Sequence, residues 1–241
     1  MTAPPACAPI TLVCLAPAGA AATTFYQPWA RELAPDVVVL PVDVKGRGIR
    51  RRDEEPSDFT ALVADLAALV RPHTSGAWAL FGHSFGGLVA YELARHLIHE
   101  LGCPAPVRLF VSGRQAPHAP VTTRLRHLDE DAFVDTFVAL GGLPERFVRH
   151  RGIRRMILPP LLADITLDEM HVPAPLPRLK CPVTVLAGRD DPLVDADSAH
   201  EWRHVTDGQT STHIFAGGHF YLEDHTTVLS LVRSQLGYPA R

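Results

Sequence analysis

Lysine is scarce in this sequence of 241 residues, although arginine is abundant. Lysine occurs only at Lys45 and Lys180, and 23 basic residues against 26 acidic ones leave a formal net charge of −3. A protein that grips the phosphates of nucleic acid needs an excess of basic residues. The near-neutral balance therefore gives no reason to expect nucleic acid as a partner.

Cysteine is also sparse, and its spacing excludes two kinds of site. The chain has Cys7, Cys14, Cys103 and Cys181, which are far apart and form no C-x-x-C pair. Neither a zinc site nor a disulfide framework is indicated. We expect reduced thiols, as in the cytoplasm.

Long apolar runs are missing as well. The first run, Ile10–Leu15, is far shorter than the roughly 20 residues of a membrane-spanning helix and favours a buried strand. The residues before it lack a basic segment and include Pro4, Pro5 and Pro9, which is atypical of a secretory signal peptide. We expect a cytoplasmic protein that does not contact a membrane.

Short apolar runs favour buried strands, and amphipathic helical segments alternate with them. Most runs are continuous, as expected when helices cover both faces of a sheet. Alternation of this kind predicts an α/β fold with a doubly wound parallel sheet, and 46% hydrophobic residues allow one large core. The predicted strands are 10–15, 37–42, 78–82, 107–111, 183–187 and 212–215, and the helices are 25–33, 59–70, 88–98, 196–205 and 221–236.

One segment, 119–177, breaks this alternation. It has helical patterns at 129–140 and 145–158 and ends in the proline-rich run 172–177. Ligands bind at the carboxyl edge of open α/β sheets. We therefore expect a single domain over 1–241, with 119–177 inserted as a helical lid above that edge.

The segment Gly82-His83-Ser84-Phe85-Gly86-Gly87 follows a predicted strand and opens a helical pattern. Strand, sharp turn and helix with a serine at the apex form the context of a nucleophile elbow. A Cβ at Gly82 or Gly86 would crowd such a turn. Ser84 is therefore the candidate nucleophile of a hydrolase or acyltransferase that works through an acyl-serine.

The partners that a serine nucleophile needs follow in the order Ser, Asp, His. Asp191 comes soon after the predicted strand 183–187, and His219 follows the next strand in the run Gly217-Gly218-His219-Phe220. We assign His219 as the general base and Asp191 as the carboxylate that orients it. Asp190 is the competing acid.

The oxyanion hole of such a site comes from two backbone N–H groups. Phe85 follows the nucleophile, and Ala18 lies in the small-residue loop after the first strand. We predict that these two residues supply the donors. No metal site is expected, since His96 and His99 have no third ligand placed nearby.

Further short motifs are spread over nearly the whole chain. They are Cys14-Leu15-Ala16-Pro17-Ala18-Gly19-Ala20 with Phe25, Tyr26 and Trp29 soon after, Gly46-Arg47-Gly48, Leu140-Gly141-Gly142-Leu143-Pro144-Glu145, Leu158-Pro159-Pro160-Leu161-Leu162-Ala163-Asp164 and Gly188-Arg189-Asp190-Asp191-Pro192. With the elbow and the histidine motif, they make the sequence resemble the type II thioesterases of polyketide and nonribosomal peptide assembly lines. It departs from them at Ala20, Lys45 and Leu162, where that family usually has glycine, proline and arginine.

The resemblance implies the α/β-hydrolase fold, a mostly parallel twisted sheet flanked by helices. It also implies a monomer that hydrolyses acyl groups from the phosphopantetheine arm of an acyl or peptidyl carrier protein, with no cofactor of its own. The usual role is editing, the removal of stalled or wrong acyl chains. Rival interpretations are a carboxylesterase, a chain-releasing thioesterase or cyclase, and an inactive binding protein on this scaffold.

Two features of the predicted lid have two interpretations each. The apolar residues Phe133, Phe137, Leu140 and Met156 either line an acyl-binding chamber or form the lid's own core. The basic cluster is either a solvated helix face or a docking patch for an acidic carrier protein. That cluster comprises Arg146, Arg149, His150, Arg151, Arg154 and Arg155.

Overall fold

The computed structural model describes residues 8–119, 124–172 and 176–239. Six strands form one sheet in the order β2-β1-β3-β4-β5-β6, and every neighbouring pair is parallel. The predicted α/β fold with a parallel sheet is confirmed. The strands are β1 Ile10–Leu15, β2 Val37–Pro41, β3 Trp78–His83, β4 Arg108–Ser112, β5 Val183–Gly188 and β6 Thr210–Phe215.

Helices connect these strands. They are α1 Ala22–Phe25, α2 Gln27–Leu33, α3 Phe59–Val70, α4 Phe85–Arg95, α5 Glu130–Ala139, α6 Glu145–Val148, α7 Arg151–Met170 and α8 His225–Gln235. A π-helical turn, His96–Glu100, extends α4, and the predicted helix Ala196–Val205 is a 3-10 helix. The predicted helix 25–33 is divided at Tyr26, and the predicted helix 221–236 begins as a separate 3-10 turn, Tyr221–Glu223.

The sheet has a hydrophobic core on each face. Side chains of successive residues in a strand point to opposite faces. In β1, Val13 and Leu15 pack with α3 and α4, whereas Leu12 and Cys14 pack with α2 and α8. Helices therefore cover both faces, which explains why the inner strands β3 and β5 are buried along their whole length.

Helices α5 to α7 lie between β4 and β5, in the predicted lid segment. Residues 120–123 and 173–175 of that segment lie outside the described residues. The predicted end of a helix at 158 is wrong, because α7 continues through Pro159 and Pro160. Proline removes a helical hydrogen bond, but here the second half of α7 is held from outside the helix, where Arg47 Nη2 donates to the carbonyl of Pro160 at 2.5 Å.

Candidate active site

Ser84 occupies the turn between β3 and α4. Its φ of 55° and ψ of −119° make it the one residue other than glycine with a positive φ in the described part of the chain. A Cβ on Gly82 would lie 2.0 Å from the carbonyl oxygen of Gly86, and one on Gly86 would lie 2.2 Å from that of Leu15. The two glycines are therefore required by close backbone packing around the serine.

His219 connects Ser84 to a buried carboxylate. Its Nε2 lies 2.9 Å from Ser84 Oγ, and its Nδ1 lies 2.8 Å from Asp191 Oδ2. A carboxylate can only accept, so Nδ1 carries the proton and Nε2 faces the serine hydroxyl as an acceptor. The arrangement can remove the proton of Ser84 when the serine attacks an electrophilic carbon.

The structure distinguishes the two candidate acids. Asp191 has a fully buried side chain, and its second oxygen accepts the backbone N–H of Leu193 at 2.9 Å. Asp190 is exposed, and its backbone N–H donates to the carbonyl of Gly217 at 3.0 Å. Asp191 is thus the carboxylate beside the histidine, and Asp190 ties the loop after β5 to the loop after β6.

The two candidate oxyanion donors lie beside Ser84. Phe85 is the first residue of α4, where a backbone N–H has no partner inside the helix. Ala18 lines the cavity that Ser84 also lines. Among the described residues, none accepts a hydrogen bond from the backbone N–H of Ala18 or Phe85, so both donors are available to a ligand.

The sequence did not predict a buried series of hydrogen bonds that begins at His83, beside His219. His83 Nδ1 lies 2.9 Å from Ser112 Oγ, which lies 2.5 Å from the hydroxyl of Tyr221. Burial, and then the neighbouring His219, lower the pKa of His83 well below its usual value. The neutral ring of His83 lies 5.1 Å from that of His219. The available signal was Ser112 itself, which ends β4 opposite His83 in the register.

Comparisons with known proteins identify the family of this chain. A family model described as "Thioesterase domain" matches residues 10–236. This chain belongs to the thioesterase family. Thioesterase PikA5 of Streptomyces venezuelae is 37% identical over 216 residues, which is 89% of this chain and 76% of that protein.

Solved thioesterase structures share the fold over nearly the full length. The type II thioesterase BorB from the borrelidin biosynthetic cluster has a TM-score of 0.84 and 36% identity, and the match covers 95% of this chain and 93% of that one. RedJ, a thioesterase from the prodiginine pathway of Streptomyces coelicolor, has a TM-score of 0.87 and 32% identity, with 98% and 90% covered. The predicted family and the α/β-hydrolase fold are confirmed.

The thioesterase cavity above Ser84 has a volume of about 310 Å³. Phe137 and Leu140 line it and also belong to the hydrophobic cluster of α5 and α7, so both interpretations of these two residues remain open. Phe133 is buried in the hydrophobic cluster between α5 and α7, with its ring 4.8 Å from that of Phe137, and is not part of the wall. Met156 is 69% exposed, so its predicted place in the chamber is wrong.

The inward face of α7 supplies wall residues that the sequence interpretation missed. Ile157, Leu161 and Ile165 line the cavity, at the spacing of four that places residues on one helix face. That spacing was hidden because the helix was predicted to end at 158. Met156 lies one position, or about 100°, away from this face.

Part of the cavity wall is polar. Arg114 donates to both oxygens of Asp168, at 2.5 and 2.7 Å, and both residues line the cavity with Glu169. Arg114 lies in the loop after β4, and Asp168 and Glu169 lie in α7. No local sequence motif predicted these residues. The cavity therefore combines apolar wall residues with a charged section built from Arg114, Asp168 and Glu169.

Neither a metal centre nor a membrane segment is found where the structure can be described. Within residues 8–119, 124–172 and 176–239, no three His, Cys, Asp or Glu side chains are grouped so that they could hold a metal ion. None of the helices in those ranges is both long and apolar enough to cross a bilayer.

Proposed function

We propose that this chain is an editing thioesterase that removes acyl groups from the phosphopantetheine arm of carrier proteins through an acyl-serine. The observation that carries the proposal is the hydrogen-bonded series Ser84–His219–Asp191 at the floor of a largely apolar cavity. It is supported by similar proteins that are described as type II thioesterases or as members of NRPS/PKS biosynthetic pathways, such as BorB, ClbQ and YbtT. The arm is carried by the partner, so the chain needs no cofactor of its own.

Acylation begins when Ser84 Oγ attacks the thioester carbon and His219 Nε2 takes the serine proton. The carbonyl oxygen becomes an oxyanion, which the backbone N–H groups of Ala18 and Phe85 stabilise. The C–S bond then breaks, and His219 returns its proton to the departing thiolate. A thiol with a pKa of about 8.5 leaves readily, so this step makes little demand on the acid.

Deacylation repeats the same proton transfers with water. His219 takes a proton from a water molecule as its oxygen bonds to the acyl carbon. The bond to Ser84 Oγ breaks, and the proton on His219 returns to the serine. The products are a carboxylic acid and the restored hydroxyl, while Asp191 keeps the imidazole in the productive tautomer throughout.

The acyl-serine mechanism is tested with Ser84→Ala. Hydrolysis of an acyl group from a phosphopantetheine-loaded carrier protein, followed by intact-protein mass spectrometry, is expected to fall to the uncatalysed rate. Circular dichroism should match that of the unchanged protein. Retained turnover by Ser84→Ala would refute the mechanism. Faster hydrolysis of simple oxygen esters than of acyl-carrier substrates would favour the carboxylesterase alternative.

Three arginines of the basic cluster have no ion-pair partner among the described residues and are available to a carrier protein. Arg149 pairs with Glu145, and Arg154 pairs with Asp131 at 2.9 Å. The remaining arginines make no ion pair with any residue that the structure describes, and all are exposed. These three, Arg146, Arg151 and Arg155, are called the lid arginine patch.

We propose that the lid arginine patch docks an acidic carrier protein, because opposite charges steer and orient association. The double variant Arg151→Glu/Arg155→Glu is expected to raise KM for acyl-carrier substrates severalfold and to leave KM for a small acyl thioester unchanged. Arg51→Glu/Arg52→Glu, which changes charge equally on another exposed segment, is the matched control. Equal effects of the two double variants would contradict the docking proposal.

A further inference from the structure

Two sequence motifs take no part in the triad or the docking patch, and the structure brings them together. One is Gly46-Arg47-Gly48, after β2, and the other is the segment of α7 that ends at Asp164. Arg47 Nη2 donates to Asp164 Oδ1 at 2.8 Å, and Nε donates to Oδ2 at 3.3 Å. Each side chain is only 3% exposed. The two motifs therefore meet in a buried two-point ion pair.

The same carboxylate binds the loop that carries Ala18. The backbone N–H of Gly19 donates to Asp164 Oδ2 at 2.7 Å. Asp164 is thus shared between a guanidinium on one side and a single peptide N–H on the other. That peptide is the one that follows Ala18.

The bonded peptide lies in the middle of a tight turn. Ala20 N–H donates to the carbonyl of Pro17 at 3.1 Å, and Gly19 has a φ of +73°, as the third residue of a type II turn requires. The Pro17 carbonyl belongs to the same peptide unit as the N–H of Ala18. The turn therefore fixes the direction of the Ala18 N–H, and Asp164 fixes the middle peptide of the turn.

Helix α7 also supports this loop by direct packing. A Cβ on Gly19 would lie 3.0 Å from Leu161 Cβ and 3.1 Å from Leu161 Cα. Leu161 and Asp164 are three residues apart and so face the same side of the helix. The loop is held by one polar and one steric contact from a single face of α7.

Stability alone does not account for a buried carboxylate here. Burial raises the pKa of Asp164, and the positive charge of Arg47 opposes that rise. A buried ion pair of this kind is often no more stabilising than apolar residues of equal volume. An apolar side chain, however, could not accept the N–H of Gly19, which would lose the acceptor that holds it.

We propose that Asp164, oriented by Arg47, is a positioning residue for the oxyanion hole. By holding the Gly19 N–H it keeps the turn in the form that directs the Ala18 N–H at the acyl oxygen. The inference rests on the proposed acyl-serine chemistry, although not on the identity of the acyl donor. Asp164 touches neither the triad nor the reacting atoms.

The test is Asp164→Asn, assayed with whichever soluble thioester or oxygen ester the unchanged protein hydrolyses. Asp164 Oδ2 accepts from Gly19 and from Arg47 Nε, and Oδ1 accepts from Arg47 Nη2. An asparagine has one oxygen for these two positions, so its NH₂ group must face either Arg47 Nη2 or the Gly19 N–H, and one of these bonds is lost. We expect kcat per active site to fall about 10- to 100-fold, with KM changed less than about twofold, because the lost interaction is made in the transition state. Active sites are counted by labelling Ser84 with a fluorophosphonate, so loss of folded protein does not enter kcat.

A second readout separates positioning from a general structural role. A trifluoromethyl ketone analogue of the acyl chain forms a tetrahedral adduct with Ser84 whose oxyanion occupies the hole. Its inhibition constant should rise by the same factor as kcat falls. Asp65→Asn is the matched control, since Asp65 also accepts two bonds from an arginine, Arg50, at 2.6 and 2.9 Å, and makes no contact with Gly19. We expect that control to leave both values unchanged.

The effects of Asp164→Asn and Asp65→Asn on kcat and on ketone affinity decide between a positioning role and a purely structural one. If kcat and ketone affinity fall together in Asp164→Asn and not in Asp65→Asn, the proposal stands. If kcat per active site is unchanged, or falls while ketone affinity is retained, it is overturned. Should Asp164→Asn fail to fold, Arg47→Lys takes its place with the same two readouts and the same criteria. An unchanged protein that prefers oxygen esters would refute the editing function but leave this test intact.

Discussion

The exchange of Asp191 for asparagine tests the triad assignment most sharply. The Leu193 N–H points at one oxygen of Asp191 at 2.9 Å, and His219 Nδ1 lies 2.8 Å from the other. In Asp191→Asn the amide oxygen stays with the N–H donor, so the amide NH₂ faces the histidine. His219 must then accept at Nδ1 and carry its proton on Nε2, where it cannot take the proton of Ser84.

The magnitude follows from two effects. Losing the attraction between imidazolium and carboxylate costs about 4 kcal/mol at a separation of about 4 Å and an effective dielectric constant of about 20. That is about a 10³-fold loss of rate at about 1.4 kcal/mol per factor of ten. The wrong tautomer of His219 brings the expected loss in kcat to about 10⁴-fold.

The assay is steady-state hydrolysis of a small acyl thioester. The kcat of the unchanged protein is calculated from the concentration of active sites that a fluorophosphonate labels. Asp190→Asn is the matched control, because Asp190 is exposed and holds its loop through its backbone. We expect that control to keep activity within about twofold. An Asp191→Asn variant with more than a tenth of normal kcat, or an equal loss in Asp190→Asn, would refute the reasoning.

Three further outcomes are expected. Ile157→Trp fills part of the cavity and should lower kcat/KM for longer acyl chains at least tenfold, whereas Met156→Trp, on the exposed face, should leave it unchanged in the same chain-length series. The pKa of His83 is lowered in the folded state, so as pH falls below about 6.5 protons bind the unfolded chain first. The free energy of unfolding should therefore decline toward acid by up to about 1.4 kcal/mol per pH unit. Urea titrations of His83→Asn should show a shallower decline. Gly188→Ala would place a Cβ 2.3 Å from the Gly218 carbonyl oxygen. It should cost about 1–3 kcal/mol of stability in urea unfolding and most of the activity in thioester hydrolysis. Stability and activity equal to those of the unchanged protein would contradict this expectation.

The sequence was sufficient for the features that local patterns encode. Six apolar runs predicted the six strands, with edges displaced by at most two residues, as at β6, which begins at Thr210. Ser84, Asp191 and His219 were identifiable because each follows a strand, and parallel strands direct their carboxyl ends to one edge of the sheet. The structure brings His219 within hydrogen-bond distance of both Ser84 and Asp191.

What the sequence did not reveal depends on contacts between distant segments. Pro159 and Pro160 predict a helix end on local grounds, and the interaction of Arg47 with α7 is visible only in three dimensions. The error at Met156 has the same origin, since the correct helix face appears only when α7 is followed to its full length. The chain His83–Ser112–Tyr221 likewise joins three different elements.

The helices α5, α6 and α7 contact the body of the protein in two different ways. The second half of α7 is bound to the body of the protein by Asp164 through Arg47 and by Asp168 through Arg114. Within the described residues, the hydrogen bonds and ion pairs of α5 and α6 remain inside the lid, and these helices meet the body through apolar contacts. The cavity wall formed by Leu161 and Ile165 of α7 is therefore fixed by charged contacts to the body of the protein, whereas the wall formed by Phe137 of α5 is fixed by apolar packing.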